Sequence, residues 1–520
     1  MIEEIAHWVF KLSYNDLPSR IVEKAKLQIL NIISAVLSGR FYEPLKNTKG
    51  LNLPDGNATV IPLMKKTSPE YAAFLNALYS MSFDFDDYLF MGHTGHSSVL
   101  VPVAIAEVHN LTINDIILAQ VAANEVEGRL GASVLFGPHN GQMWSYIHSI
   151  GSAISASKLL GLSEKQIASA IALSFYQPNY PLAPGFMISD SKLITASLPI
   201  LSGMLCTELA KIGMKGNTNI LETRHGFLSK FSYLPLAHII SGFGEWWVTD
   251  TIAFKPYPGC AYIDTAIDST YKILAQFKQK TGRHIEPDDV NRIDVFANIL
   301  TMGMNALSEM YDDGSLNTVN INFSIPKSIA ITLINHALYP EHLSCNVLSQ
   351  HREKILSLTE KIRLYHDWYF TLKMQSSFFE SIAGGSLLPG ISTTKLINAF
   401  LKIRKDLQSA GLNMPGLLKA WVSLTEQEKR VIKNGLKRKG NYINMDRFTF
   451  SFGARVRLET TDKQLYEADS IIPSGASQFD QKDLVFNKLV HALGSEQHAQ
   501  TLVTMLNDNV SVRNFIDHIH

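Results

Sequence analysis

The sequence predicts a mainly α-helical protein, with a large helical domain in two segments and a smaller α+β lid domain inserted between them. Apolar residues recur at helical spacing through the first 250 residues and again after residue 474. Alternating apolar and polar residues, which are typical of half-buried strands, occur mainly between these two parts. We therefore expect the domains to cover residues 1–250, 251–473 and 474–520, with the middle segment forming the lid.

The first segment contains a series of predicted helices, several of them rich in small residues. They cover residues 21–39, 71–82, 98–108, 113–130, 151–160, 164–175 and 192–212. Thr112 with Asp115, and Ser163 with Gln166, have the spacing of capping boxes at helix starts. Frequent glycine and alanine residues indicate helices that approach each other closely.

The remaining segments mix strands and helices. The predicted strands cover residues 292–299, 448–450, 455–459 and 464–472. The predicted helices cover residues 325–336, 396–407, 426–436 and 482–506. Residues near 375–444 form a polar, partly helical insertion in the lid domain.

Composition excludes several classes of protein. The 520-residue chain is 46% hydrophobic and 18% charged, as in a well-packed globular protein. Lys plus Arg equals Asp plus Glu at 47 each, which argues against nucleic-acid or membrane-surface binding. We see no membrane-spanning stretch, and the acidic N-terminus is unlike a signal peptide. The 3 cysteines of the chain are scattered and fit neither a disulfide framework nor a zinc site. We therefore expect a cytoplasmic protein.

A dense cluster of ionisable residues lies between two predicted helices. Asp84, Asp86 and Asp87 are followed within a few positions by His93 and His96. Carboxylates and imidazoles at the mouth of a buried core are suited to general acid–base chemistry, because burial tunes their pKa values. A metal site at the two histidines is the alternative, but glycines at 92 and 95 argue against a regular helix, and no third ligand is evident.

Three residues elsewhere extend this candidate site. His148 lies near the start of a helix, where the helix dipole keeps an imidazole neutral and available as a base. Lys192 opens an apolar helix at the end that disfavours a cation, which indicates a bound anion or an acidic partner such as Asp190. Lys255 lies in FKPYPGCAY, where two prolines stiffen the backbone around Tyr257. The alternatives are a core histidine, a solvated helix turn and a plain interdomain linker.

Several motifs occur in an order that is specific to one family. They are DFDD…GH…VLVPVAIAE, IHSIGSAISASKLLGL, the helix opened by Lys192, ILETRHGF, KPYPGCAYIDTAID and FSIPKSIAITL. In these motifs the chain resembles the MmgE/PrpD family over roughly residues 1–340 and 450–500. The resemblance implies an all-helical domain with a smaller α+β lid, an active site between them, a homodimer, and no metal or organic cofactor.

The resemblance also implies a set of catalytic residues that match the family motifs. They are Asp84, His93 or His96, His148, Lys192 and Lys255. A histidine is expected to act as the base, the lysines to bind substrate carboxylates, and Asp84 to orient a histidine.

Other positions of the pocket depart from the family pattern. Tyr88 replaces a threonine, Ala261 an arginine, Asp264 a histidine and Lys327 a tyrosine. We expect Tyr88, Asp264 and Lys327, together with Tyr257, to bind substrate. Because these changes alter the charge of the pocket, the substrates of known members do not transfer directly.

The expected activity is that of a cofactor-independent lyase acting on a small di- or tricarboxylate. The leading expectation is dehydration of a hydroxy polycarboxylate such as 2-methylcitrate. Decarboxylation or epimerisation of a small polycarboxylate on the same scaffold is the first alternative. An inactive relative that serves in binding is the second.

Overall fold

The computed structural model of the protein describes residues 1–137, 144–380, 394, 397–398, 416–435, 448 and 450–519. Helices dominate this part of the chain, so the mainly α-helical class is confirmed. Most of the predicted insertion near 375–444, and most of the predicted helix at 396–407, lie outside the described residues. The predicted domain boundaries stay a prediction.

The helices before residue 250 form one large buried core. They are α1 (Ile2–Lys11), α2 (Ser19–Ser38), α3 (Pro69–Met81), α4 (Gly95–Ser98), α5 (Leu100–His109), α6 (Ile113–Ser133), α7 (Tyr146–Leu159), α8 (Glu164–Ser174), α9 (Ala183–Ile188), α10 (Ile194–Lys211) and α11 (Phe227–Phe231). Both predicted capping boxes are present, at Thr112 and at Ser163. The single helix predicted at 98–108 is replaced by α4 and α5, which meet at Val99.

Small residues allow the central helices to pack closely. Helix α10 lies against α3, α7 and α8, and α6 lies against α7. A Cβ atom added at Gly203 of α10 would lie 2.1 Å from the carbonyl oxygen of Ser149 in α7, so only glycine fits at this crossing. Together with the preceding turn, α10 forms a segment, Asp190–Lys211, long and apolar enough to cross a membrane, and 56% of it is buried in the protein. Core helices of soluble proteins have the same composition.

The middle of the chain adds a four-stranded sheet covered by helices. Its strands are β5 (Val290–Ala297), β6 (Ile362–His366), β7 (Ala454–Thr460) and β8 (Leu465–Ser470), and they follow β1 (Ala58–Val60), β2 (Lys65–Thr67), β3 (Asp87–Tyr88) and β4 (Ala253–Phe254), which form two small antiparallel pairs. The order in the large sheet is β6-β5-β7-β8, and only the β5–β6 pair is parallel.

The helices of this middle part flank the sheet and connect it to the larger core. They are α12 (Asp264–Thr281), α13 (Ile299–Met310), α14 (Thr318–Ile321), α15 (Ile325–Asn335), α16 (Cys345–Gln350), α17 (Arg352–Glu360), α18 (Trp368–Glu380), α19 (Gly416–Ser423) and α20 (Glu426–Gly435). Helix α12 packs on β7 and β8 and also contacts α15.

Three of the four predicted strands correspond to β5, β7 and β8. The strand predicted at 448–450 is wrong at residues 448 and 450, which lie outside strands. Phe448 and Phe450 are buried because their rings pack edge to face on Phe90 and Tyr88, so aromatic packing rather than strand pairing explains their pattern.

The last helices return to the first part of the chain. They are α21 (Lys482–Leu493), α22 (Glu496–Asn507) and α23 (Val512–Asp517). Helix α21 packs against α2, and α23 packs against α5. The continuous helix predicted at 482–506 is divided at Gly494, whose φ of 72° lies in the left-handed region that favours glycine.

Candidate active site

The short β3–β4 pair brings the acidic cluster beside Lys255. Asp87 pairs with Phe254 across the two strands. The backbone N–H of Lys255 donates to the carbonyl of Asp86 at 3.1 Å, and that of Gly259 donates to the carbonyl of Asp84 at 3.4 Å. The KPYPG segment is therefore held along the acidic segment, although the two lie far apart in the sequence.

Lys255 is enclosed by two carboxylates. Its Nζ lies 2.8 Å from Oδ1 of Asp84 and 2.7 Å from Oδ1 of Asp86, and all three side chains are buried. Burial alone would lower the pKa of Lys255, but the two carboxylates raise it above the usual value for lysine. Asp84 adopts a φ of 55°, which is unusual for a residue other than glycine, so its backbone is held in a strained conformation.

Lys192 is a second buried cation, and its charge is less fully compensated by carboxylates than that of Lys255. It lies in the turn Asp190–Leu193 before α10, and its Nζ is 3.5 Å from Oδ1 of Asp84. The rings of Phe186 and Phe323 lie 5.8 and 5.4 Å away. Burial lowers the pKa of Lys192, and Asp84 opposes this effect. The acidic partner of Lys192 is thus Asp84 and not Asp190, which bonds to another side chain.

Asp86 holds the two histidines of the cluster. Its Oδ2 lies 3.0 Å from Nδ1 of His93 and 3.0 Å from Nε2 of His96. Asp86 makes these two contacts, whereas the described ion pairs of Asp84 are with the lysines, so the expectation that Asp84 orients a histidine stays a prediction. Within the described part of the chain, no three His, Cys, Asp or Glu side chains converge in a geometry that could hold a metal ion.

The hydrogen bonds of His93 determine where its proton lies. Nδ1 faces two acceptors, Oδ2 of Asp86 at 3.0 Å and the carbonyl of Asp87 at 2.8 Å. Nδ1 must therefore carry the hydrogen. Burial and Lys255 lower the pKa of His93, although Asp86 acts in the opposite direction. A neutral His93 protonated at Nδ1 presents the lone pair of Nε2, as a general base does.

His148 comes to the same place from α7. Its ring centroid lies 5.8 Å from that of His96. Burial, together with His96 and His93, keeps the pKa of His148 well below the ordinary value. The imidazole is therefore neutral, and its Nδ1 lies 2.8 Å from the hydroxyl oxygen of Ser97 rather than bonding to a backbone carbonyl.

Tyr88 and Asp264 add two buried polar groups without hydrogen-bond partners among the described residues. The hydroxyl of Tyr88 has none, and neither carboxyl oxygen of Asp264 has one. Burial and the neighbouring Asp268 raise the pKa of Asp264 well above the usual value, which favours the protonated carboxyl group. Groups that are buried and unsatisfied are free to bond to a ligand.

The other two expected substrate-binding residues lie in different surroundings. The hydroxyl of Tyr257 donates to Asp268 at 2.9 Å, and its ring stacks on Tyr271. The ammonium of Lys327 lies 2.7 Å from Asp312 and 3.0 Å from the side-chain oxygen of Asn320. Lys327 is thus committed to a separate loop, and the structure does not bring it to the Asp84 cluster.

The sequence did not identify the buried lysine that supports the site from behind. Nζ of Lys488 in α21 donates to Asn31 at 2.6 Å, to the carbonyl of Phe85 at 3.1 Å and to the carbonyl of Lys255 at 2.9 Å. These three acceptors match the three hydrogens of an ammonium group, although burial lowers the pKa of Lys488 to about 7. Lys488 could have been identified as buried from its position on the apolar face of a predicted helix.

Comparisons with known proteins agree with the family motifs. Residues 3–235 match the MmgE/PrpD N-terminal domain. A cis-aconitate decarboxylase of Aspergillus terreus (strain NIH 2624 / FGSC A1156) is 23% identical over 392 residues, which are 71% of this chain and 78% of that protein. The cis-aconitate decarboxylases of Mus musculus and Homo sapiens are 27% and 25% identical over 271 and 279 residues, in each case 49% of this chain. These matches span 55% and 56% of the two mammalian proteins. The resemblance drawn from the motifs is confirmed.

Proposed function

We propose that the protein is a lyase acting on a small polycarboxylate without a cofactor, because residues 3–235 match the MmgE/PrpD N-terminal domain. Its leading reaction is decarboxylation of an unsaturated tricarboxylate such as cis-aconitate, which the named relatives support. Dehydration, the leading expectation from the sequence, becomes the second candidate. The observation that carries the proposal is that two buried lysines at Asp84 lie beside the buried histidines held by Asp86.

Lys192 is the residue best placed to bind a substrate carboxylate. Lys255 already has two carboxylate partners within 2.8 Å, whereas Lys192 has one at 3.5 Å. An incoming carboxylate would complete the environment of Lys192, whose other neighbours include two aromatic rings. A fixed cation in a buried site stabilises developing negative charge more strongly than it would in water.

The chemistry of decarboxylation matches these groups. Loss of CO₂ leaves the electron pair of the broken C–C bond on the substrate, where it forms a new double bond. The π electrons of the former double bond move at the same time to its far carbon. That carbon becomes carbanionic beside a carboxylate and must receive one proton. Lys192 would stabilise this charge, and the N–H of neutral His148 would supply the proton, since the hydrogen of His93 is held by Asp86 and the carbonyl of Asp87.

A specific observation also favours dehydration as the second candidate. Removal of water requires a base that takes a proton from carbon and an acid that protonates the departing hydroxyl group. Nε2 of His93 offers the lone pair for the first step. The protonated carboxyl of Asp264, which has no hydrogen-bond partner among the described residues, could donate in the second.

Proton NMR of the purified protein in deuterated buffer, with cis-aconitate, 2-methylcitrate and related di- and tricarboxylates, distinguishes these reactions. Decarboxylation should convert cis-aconitate into an unsaturated dicarboxylate that carries one deuterium, with release of CO₂. Dehydration should instead produce a new olefinic signal from a hydroxy acid. If a folded sample changes no compound and none of them raises its melting temperature, the lyase proposal fails, and an inactive relative becomes the better account.

The assembly and location are also proposals. The family resemblance implies a homodimer, and α10 supports this with an apolar stripe in which Ile194, Leu198 and Leu205 are 39%, 43% and 59% exposed. These residues recur at helical spacing on one face, as at an interface between subunits. The three cysteines are free, which supports a reducing, cytoplasmic location.

A further inference from the structure

A line of two hydrogen bonds joins three buried side chains from three different helices and ends at His148. Ser97 belongs to α4, Glu127 to α6 and His148 to α7. The hydroxyl oxygen of Ser97 lies 2.8 Å from Nδ1 of His148 and 2.7 Å from Oε1 of Glu127. All three residues are at most 1% exposed, so water does not compete for these hydrogen bonds. The proposed function uses neither Ser97 nor Glu127.

The space for the Glu127 carboxyl group is created by a glycine on α7. A Cβ atom added at Gly151 would lie 1.2 Å from Oε1 of Glu127. Gly151 follows His148 by about one helical turn, so the carboxyl group packs against the same face of α7 that carries the imidazole. The Glu127 carboxyl group therefore occupies the space that a side chain at position 151 would need, and from there it bonds to Ser97.

Glu127 is a carboxylic acid rather than a carboxylate. Its described hydrogen bond is to a hydroxyl group, its Oε2 has no partner among the described residues, and no ion pair with a cation is described for it. Burial raises the pKa of Glu127 well above its usual value, and the nearby Asp87 acts in the same direction, so the protonated carboxyl group is favoured. An unpaired ionised carboxylate at such a site would be very costly.

The neutral state of Glu127 determines which group donates the hydrogen in each of these hydrogen bonds. A buried O–H donor without a partner is costly, so the acid hydrogen of Glu127 lies on Oε1 and is donated to Ser97. Ser97 then has its own hydrogen to donate, and Nδ1 of His148 at 2.8 Å is closer than the carbonyl of Thr94 at 3.1 Å. A neutral imidazole that accepts at Nδ1 carries its hydrogen on Nε2.

We propose that Ser97 and Glu127 are positioning residues that hold the proton of His148 on Nε2, and so make His148 the proton donor of the site. His93 then has the complementary tautomer, with its hydrogen on Nδ1 and a lone pair on Nε2. Two neutral histidines in opposite tautomers provide one donor and one acceptor to the same substrate. The donor role rests on the proposed function, whereas the tautomer does not.

The same hydrogen bonds also give each proton a place to go when His148 donates to the substrate. When Nε2 of His148 gives its proton to the carbanionic carbon, Nδ1 takes the hydrogen of Ser97, and Ser97 takes that of Glu127. The imidazole remains neutral, and the negative charge that was on the substrate carbon ends on the Glu127 carboxylate. After product release, protonation of Nε2 of His148 from solvent, with the hydrogens moving back along the same bonds from Nδ1 to Ser97 and from Ser97 to Glu127, restores the starting state.

The resting tautomer can be measured directly, without substrate. Magic-angle-spinning ¹⁵N NMR of histidine-labelled protein distinguishes protonated from unprotonated ring nitrogens, and His148→Gln identifies the His148 signals by their loss. We expect a protonated Nε2 and an unprotonated Nδ1 in the full-length protein. A protonated Nδ1, or an imidazolium at neutral pH, would overturn the proposal whatever the enzymatic activity.

Variants test whether Ser97 and Glu127 cause this tautomer. Ser97→Ala should give a mixture of both tautomers and lower kcat by up to about 100-fold with little change in KM. Ser98→Ala is the matched control, because the hydroxyl of this neighbouring buried serine has no hydrogen-bond partner among the described residues. It should leave both the spectrum and kcat unchanged. If Ser97→Ala keeps the tautomer of the parent protein, Ser97 does not position His148.

A third variant distinguishes proton transfer along these hydrogen bonds, here called the relay, from a purely structural role of Glu127. Glu127→Gln preserves shape but cannot release a proton, so it should lower kcat even where its amide N–H replaces the acid O–H and keeps the tautomer. Full activity of folded Glu127→Gln would contradict the relay. Absence of turnover in the parent protein with an Nε2-protonated His148 would contradict the proposed function and leave the tautomer assignment intact.

Discussion

Lys192 and Lys255 differ in how completely their charges are compensated, and this difference assigns their roles. Lys255 makes ion pairs of 2.8 and 2.7 Å with two aspartates, so it fixes the acidic segment in place. Lys192 shares one of these aspartates at 3.5 Å and retains capacity for another anion. The resemblance gave both lysines the same expected role, because a motif shows residue identity but not ionic partners.

The sequence located most residues of the site but not their contacts. Asp84, His93, His96, His148, Lys192 and Lys255 all lie in one buried region, as the motifs implied. The choice between Asp84 and Asp86 as the partner of the histidines could not be made, since both residues precede the same strand. It depends on which way each side chain points in the folded protein, and no local pattern in the sequence shows this.

Burial of neutral His148 has a predictable effect on stability. Its pKa in the folded protein lies well below the value of about 6.5 expected in the unfolded chain. The unfolded chain therefore binds more protons as the pH falls below about 6.5, and the free energy of unfolding decreases by up to about 1.4 kcal/mol per pH unit from this group. His148→Gln should remove this contribution.

Urea unfolding at several pH values between 7 and 5 measures the effect. Carboxyl groups such as Asp87, whose pKa burial raises to about 6, act in the opposite direction, so the test is the difference between two proteins. The parent protein should lose more stability on acidification than His148→Gln. Equal losses would mean that His148 is already protonated in the folded protein.

At the scale of secondary structure, the site depends on very short elements. The two-residue strands β3 and β4 align the acidic segment with Lys255, and the four-residue helix α4 carries both His96 and Ser97. Such elements have too few residues for a periodic pattern. Long amphipathic helices and the alternating strands β5, β7 and β8 were predicted. The parallel strand β6 was missed because its five residues do not alternate between buried and exposed.

The crossing of α6 and α7 gives a prediction at this scale. Gly151→Ala would raise the helix propensity of α7, yet its Cβ atom would lie 1.2 Å from Oε1 of Glu127. The helices would have to separate, and we expect a loss of about 1–3 kcal/mol in the free energy of unfolding. Gly50→Ala, where an added Cβ atom meets nothing within 4 Å, is the control and should have little effect.

Thermal and urea unfolding of both glycine variants test this prediction. Shortening the opposing side chain in Gly151→Ala/Glu127→Ala should recover part of the loss, because it removes the collision. A Gly151→Ala protein as stable as its parent would show that α6 and α7 can adjust at no cost, and that the position of Glu127 is not fixed by Gly151.

At the scale of the whole molecule, the chain closes around the site from both ends. Helix α21 returns from the last part of the sequence to pack on α2, and its Lys488 bonds to the carbonyl of Lys255 at 2.9 Å. The helical class followed from spacing alone. The return of residues 474–520 to the helical domain was predicted, but the contact of Lys488 was not, because it joins residues that are hundreds of positions apart.

The exposed stripe on α10 gives a prediction about assembly. Leu198→Glu/Leu205→Glu would place two charges on the proposed subunit interface, so the protein should become monomeric while remaining folded. Met310, which is 61% exposed on α13, provides the control variant Met310→Glu, which should remain dimeric. Sedimentation velocity distinguishes the two states. A parent protein that sediments as a monomer would refute this assembly.

The central claim is that a polycarboxylate reacts at the Asp84 cluster with Lys192 as the anchoring cation. The rate of CO₂ release from cis-aconitate, measured side by side for the parent protein, Lys192→Met and Lys327→Met, tests it most directly. We expect turnover by the parent protein, a loss of at least about 100-fold in folded Lys192→Met, and near-parent rates in Lys327→Met, whose lysine pairs with Asp312. Equal rates in the parent protein and Lys192→Met, or a greater loss in Lys327→Met, would contradict the claim.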